Sequence, residues 1–282
     1  MNTAQWNAFS SFRETFKQRC NDWNNAYAAE LQPLQRAAAQ KDTPPYPLET
    51  AVVYNTALDE LTSESRITYI VIGDNPGKDE QKKENQRYLV GQSGKLAHRF
   101  FSLHPELKTD FRRNVIILNK TPIHTAKTAH LRALAKQGGD RIRALIDETT
   151  HWMATETARL HQALSNAADA DSPAPELWLV GYTELRERGL FVGYRDTLKS
   201  AYCDSHAGSC GQTAAAWQAV RVFRHFSMNQ FSIELNKTLK ADTPLQGAPN
   251  TGASLQSTPN TSTPLQSALT AIGIQHRTEI FG

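Results

Sequence analysis

The chain has 282 residues, 39% of them hydrophobic, with a formal net charge of +3 and a pI of about 8.7. That is enough apolar material for one large domain with appendages, and the mildly basic balance permits a nucleic-acid partner without pointing to one. No apolar run is long enough to span a bilayer, and the start lacks a basic stretch followed by an apolar core, so no membrane association and no secretory signal are expected.

In chain order, Trp6, Phe9, Phe12 and Phe16 recur at helical spacing. The reading for residues 1–50 is one or two amphipathic helices that end before Thr43-Pro44-Pro45 and pack on the core. Residues 51–240 are a different kind of text. Ile67 to Ile72 runs into Gly73, Asn114 to Leu118 into Asn119, Leu177 to Val180 into Gly181, and Ala219 to Phe223 towards His225. Short, β-rich, nearly continuous apolar runs are expected of strands buried on both faces. Between them, Leu96 to Leu103 and Ile142 to Leu164 have helical periodicity. Such alternation predicts an α/β fold, a doubly wound, mainly parallel four-stranded sheet flanked by helices. In such sheets ligands sit at the carboxyl ends of the strands, so the polar segments that follow the four runs should converge on one crevice.

Residues 241–282 are rich in Pro, Ser, Thr, Asn and Gly, and Pro244-Leu245-Gln246, Ser254-Leu255-Gln256 and Pro264-Leu265-Gln266 recur every ten residues. This composition predicts a disordered, low-complexity tail, with Ile272 to Phe281 read either as docking back or as a peptide-like hook.

Gly73-Asp74-Asn75-Pro76-Gly77 follows the first strand directly, and its glycines let the backbone turn tightly against a ligand. A triphosphate-binding loop is disfavoured, because the spacing from Gly73 to Gly77-Lys78 is one residue short and Asp79 stands where Ser or Thr is needed. The segment does resemble the first motif of the uracil-DNA glycosylase superfamily in its Gly-x-Asn-Pro-Gly form. Tyr88-Leu89-Val90-Gly91-Gln92-Ser93-Gly94 is similar to the Phe-Val-Gly-x-x-Gly element of that superfamily. The run ending in Asn119 resembles its base-reading strand, Leu177 to Gly181 its third core strand, and His225-Phe226-Ser227 its final His-Pro-Ser motif. The motifs stand in family order over roughly residues 65–240.

The resemblance implies a monofunctional DNA glycosylase that flips out uracil or a related deaminated base and hydrolyses its N-glycosidic bond. Asn75 would position the attacking water, and His225 would donate to O2 of the leaving base as charge develops there. Asn119 would read the base, since one amide offers an acceptor and two donors to the N3–H and O4 edge of uracil. Gly73, Asp74, Tyr88 and Leu89 complete the expected base pocket, with Asp74 itself turned away to cap the next turn. Alignment puts Leu89 at the stacking position with Tyr88 beside it. Gly77, Ser93, Thr125, Ser227 and Met228 would meet the DNA, with Met228 or Phe231 as the wedge that fills the gap of a flipped base. Lys95, Lys120 and Lys127 are further candidates for backbone contact, although most lysines are read as solvated surface. Phe226 stands where the family has proline, so a different loop path is expected.

Three cysteines cannot supply a four-cysteine iron–sulfur cluster, and Cys203-x-x-His206-x-x-x-Cys210 lacks a fourth zinc ligand. No metal and no cofactor are expected. The partner would be DNA carrying a deaminated base, the protein a monomer, and the sparse cysteines fit the cytoplasm. Two other readings stay open from the residues: a non-catalytic nucleic-acid-binding protein that keeps the fold, and a hydrolase of free nucleosides or nucleotides.

Overall fold

The computed structural model describes residues 1–203, 215–241 and 263–282. Helix α1 (Thr3–Ala39) is a single 37-residue element that starts in a capping box, with the Asn2 side chain on Gln5 N–H and the Gln5 side chain on the Asn2 backbone. Its phenylalanines face inward with Cys20 and Trp23. Phe12 and Phe16 stack on Trp152 at centroid distances of 6.4 and 5.7 Å. Trp152 belongs to helix α4 (Gly139–Asn166), which packs against α1, against α3 (His130–Gln137) and against α5 (Val192–Cys203).

The four apolar runs form strands β1 (Tyr69–Gly73), β2 (Val115–Asn119), β3 (Glu176–Val180) and β4 (Val220–Phe223). They make one all-parallel sheet in the order β2-β1-β3-β4. Every residue of β1, β2 and β4 is buried, Arg221 of β4 included, as expected of strands covered on both faces. Helix α2 (Gln92–Leu103) connects β1 to β2, α3 and α4 connect β2 to β3, and α5 lies between β3 and β4. The chain moves outward from β1 to β2, then returns across β1 to start β3. The order therefore reverses between β1 and β3, and at that switch point the loops on the carboxyl side part to leave a crevice. The register aligns those ends: Gly73 lies beside Asn119, and Val180 beside Phe223.

The end of the chain departs from expectation. Residues 263–282 are not a disordered tail: α7 (Pro264–Phe281) is a helix that buries Leu265, Leu269, Ile272 and Phe281 and packs against β4 and α6 (Gln230–Ala241). Thr263 caps it and Pro264 stands in its first turn, a start signal embedded in the low-complexity text. Composition outweighed a helical spacing, Leu265 to Leu269 to Ile272, that begins inside the last repeat. Residues 242–262, which carry most of the ten-residue repeat, lie outside the described residues, as do His206 and Cys210.

Candidate active site

The segments that follow the four strands meet, as their positions predict, in a cleft of about 760 Å³ at the carboxyl edge of the sheet. Asp74 and Asn75 come from β1, Asn119 from β2, Gly181 from β3 and His225 from β4.

Asn119 is the last residue of β2 and is 1% exposed. A Cβ on Gly73 would stand 2.4 Å from Asn119 Oδ1, so only glycine lets the amide lie flat against the neighbouring strand end. The Asn119 Nδ2 is buried and has no hydrogen-bond partner among the described residues. An unpaired buried donor typically costs about 1–3 kcal/mol, which a fold recovers only if something else supplies the acceptor. Since Asn119 lines the cleft, that something is a ligand or solvent.

Asn75 is pinned. Its Nδ2 donates to Thr125 Oγ1 at 2.8 Å and lies 3.3 Å from the carbonyl oxygens of Pro76 and Ile123. With the nitrogen committed, the amide oxygen has no partner among the described residues. Thr125, expected at a phosphate, is spent inside the protein: its hydroxyl accepts from Asn75 and donates to Lys127 O at 2.9 Å. The turn has a second support in His124, whose Nδ1 donates to Pro76 O at 2.9 Å while Nε2 accepts from Tyr46 Oη at 2.8 Å. Burial holds this ring down at about 4. From α1, Gln35 Nε2 donates to His124 O and Ala51 O, tying the far end of the longest helix to the site.

Asp74 does not cap a turn, and Lys120 is not solvated surface. Lys120 is completely buried, and its Nζ donates to Asp74 Oδ1 at 2.5 Å and to Val180 O at 2.6 Å. Burial pushes its ammonium down, while the Asp74 charge opposes that shift. Gly181 closes around the pair: its φ of +97° suits glycine, and a Cβ there would meet Asp74 Oδ1 at 2.6 Å and Lys120 Nζ at 3.1 Å. Sequence reading missed this pair. The available signal was position, because Lys120 follows directly on a strand buried on both faces.

His225 Nδ1 accepts from the backbone N–H of Ser227 at 3.1 Å and lies 2.8 Å from Ser227 Oγ. A backbone N–H can only donate, so that pattern assigns the proton to Nε2 and makes it a donor at the cleft. Burial lowers the ring's proton affinity, with Asp74 acting in the opposite direction and Lys120 with it. Ser227 thus orients His225. Phe226 has a φ of −65°, the angle proline would impose, and its ring is buried against Phe231 at 4.7 Å. Phe231 also touches Phe100, Trp178 and Phe223, which makes it core and excludes it as a wedge. Met228 remains at the mouth, 82% exposed and in a left-handed conformation with φ +53°.

Tyr88 is fully buried, donates from Oη to Val53 O, and lines no part of the cleft; it is not a base-binding residue. Leu89 takes the cleft position, with φ +52°, and Arg112 donates to its carbonyl oxygen. Helix α2 begins immediately behind it: a Cβ on Gly94 would fall 1.5 Å from Leu89 O. Gly77 N–H is already used by Glu80 Oε2 at 3.0 Å. That carboxyl also receives the backbone amides of Leu89, Val90 and Gly91, and burial pushes it up to about 7 against their pull. Ser93 lines the cleft on the first turn of α2, where the N-cap Gly91 offers no side chain. Lys127 at the rim is paired with Asp42 at 3.0 Å, and Lys95 lies exposed on the outer side of α2.

Comparison with known proteins returns no match. No family model, no curated protein and no solved structure corresponds to the chain. Among the described residues no three His, Cys, Asp or Glu side chains come together as a metal site, and no helix is long and apolar enough to cross a membrane.

Proposed function

We propose that the chain is a monofunctional DNA glycosylase of the uracil-DNA glycosylase type, which binds DNA and hydrolyses the N-glycosidic bond of uracil or a related deaminated base. The observation that carries this reading is the pair of donors in one cleft, the unpartnered Asn119 Nδ2 and the Nε2–H of His225. Two fixed N–H groups suit a flipped base that presents carbonyl oxygens on opposite sides. They hold it more tightly as negative charge builds on it, because preorganised donors act on charge that develops in the transition state. The Asn75 oxygen holds a water on the sugar side. His225 stays neutral, so it stabilises the leaving anion by donation rather than by transferring a proton. No cofactor enters the reaction, a monomer suffices for it, and the sparse cysteines suit action in the cytoplasm.

The test is direct. Purified protein is incubated with end-labelled oligonucleotides carrying one uracil, hypoxanthine or xanthine, single- and double-stranded, and abasic sites are then cleaved with alkali. A product is expected that falls by about 10²–10³-fold in His225→Ala, the usual loss for one such donor. No product on any substrate, with salt-sensitive DNA binding retained, would favour a non-catalytic binding protein. One observation supports that second reading: no Phe, Tyr or Trp among the described residues lines the cleft, so a flipped base has Leu89 in place of an aromatic platform.

A further inference from the structure

An amide oxygen can orient a water but takes no proton from it, so Asn75 leaves the proton of the attacking water without a destination. The buried Asp74–Lys120 pair stands beside it. Buried ion pairs are a poor source of stability: replacing one with apolar groups of similar volume is often neutral or stabilising by about 1–4 kcal/mol. A pair kept at the switch point of the sheet, with one member on the cleft, calls for a role in the chemistry.

The two partners are placed unequally. Lys120 is at the back: it does not line the cleft, its Nζ is spent on Asp74 Oδ1, Val180 O and, at 3.4 Å, Gly73 O, and it stands 5.0 Å from the Phe191 ring. Asp74 is at the front, 8% exposed and lining the cleft next to Asn75. Its Oδ1 is held by Lys120, whereas among the described residues Oδ2 has a single long contact, 3.4 Å from the hydroxyl of Thr128, itself a cleft residue. Backbone bonds fix the turn that carries it: Lys120 N–H donates to Gly73 O at 3.0 Å and to Asp74 O at 3.1 Å. Gly181 leaves the carboxylate no room to swing towards β3.

We propose that Asp74 is the general base of the reaction, with Lys120 as the positioning residue that holds one carboxylate oxygen so that the other faces the water. This rests on the glycosylase reading above. The water oxygen bonds to C1′ of the deoxyribose as the C1′–N bond breaks, and the bonding pair leaves with the base. The water proton passes to Asp74 Oδ2 and from there to solvent. The base anion, held by Asn119 and His225, takes its proton from solvent. Asn75 orients the water and Asp74 deprotonates it.

The experiment measures single-turnover excision of the preferred lesion and, separately, affinity for the same oligonucleotide. It compares wild type, Asp74→Asn, and Asp74→Asn combined with Lys120→Met. General-base catalysis contributes typically ~10²–10⁴-fold, and a fall of that size is expected in Asp74→Asn with DNA affinity unchanged. Asp74→Asn leaves Lys120 as an unpaired buried charge and is expected to melt early; the double variant has no such charge and should regain the wild-type melting temperature. Its rate should stay as low as that of Asp74→Asn. Formate should speed Asp74→Ala and leave Asn75→Ala unaffected. Recovery of the wild-type rate in the double variant would overturn the proposal and reduce Asp74 to a counter-ion, as would full activity of Asp74→Asn. Either result leaves the glycosylase reading standing, whereas a wild type that excises no base removes both.

Discussion

The two sides of the cleft are built differently. On the β1–β2 side almost every polar group is tied: Asn75 to Thr125, His124 to Pro76 and Tyr46, Gln35 to His124, Asp74 to Lys120. On the β4 side His225 is paired with Ser227 and Arg224 with Glu234, and these are followed by Met228 and Asn229, consecutive residues in the left-handed region with φ +53° and +57°. Left-handed backbone in residues other than glycine costs of order 1–3 kcal/mol each. The contrast teaches where restraint is placed: most side chains on the first side are held by partners that surround them, while Met228 and Asn229 stay exposed on a left-handed backbone.

The largest break in this contrast should come from Gly94→Ala. Its Cβ would overlap the Leu89 carbonyl, and that backbone cannot yield without displacing the whole start of α2. A loss of about 3 kcal/mol or more is expected in urea unfolding, together with loss of any activity of the cleft. Acid comes next. His124 and His161 are both held down at about 4, below the ordinary value of 6.5, because burial disfavours their charged forms. A depressed histidine favours folding while neutral, so its contribution is complete above pH 6.5 and drains away as the pH falls towards 4. At about 1.4 kcal/mol for each tenfold change in proton affinity, each ring puts about 3 kcal/mol at stake. Thermal melting should therefore fall steeply across that window, and less steeply in His124→Gln.

Thr125→Val sharpens the comparison on the tied side. It removes the 2.8 Å anchor of Asn75 without changing the cleft volume much, and about 10–10²-fold should be lost in rate with little change in DNA affinity. Met228→Ala is the matching change on the loose side and the smallest. With the side chain 82% exposed, stability should move by less than about 0.5 kcal/mol. Excision from double-stranded DNA should weaken while single-stranded substrate is spared, and equal losses on both would mean that Met228 fills no gap in the duplex.

Much of the framework is legible in the residues. The four strands announce themselves because a strand buried on both faces has little polar alternation to confuse it, and each run leads into a residue that lines the cleft: Asp74, Asn119, Gly181, His225. What stays hidden depends on pairing across the fold. Lys120 looks like any lysine until β1 and β3 are set beside it, since burial of a charge is decided by partners far away in sequence. Tyr88 and Leu89 are adjacent and both apolar, and only the left-handed turn at Leu89 determines which one faces the cleft. Met228 and Phe231 had equal claims as a wedge until Trp178 and Phe100 took up the phenyl ring.

Gly181 has a consequence for how this chain can vary. It is excluded from substitution twice, by its angle and by the Asp74–Lys120 pair pressed against the place where a side chain would start. Three positions in three separate strand-end segments are therefore sterically bound to one another. A library randomised at 181 should return glycine while the pair is intact. Relatives can be sorted by whether all three residues occur together, because a lineage that loses the ion pair loses one of the two reasons for glycine at that corner.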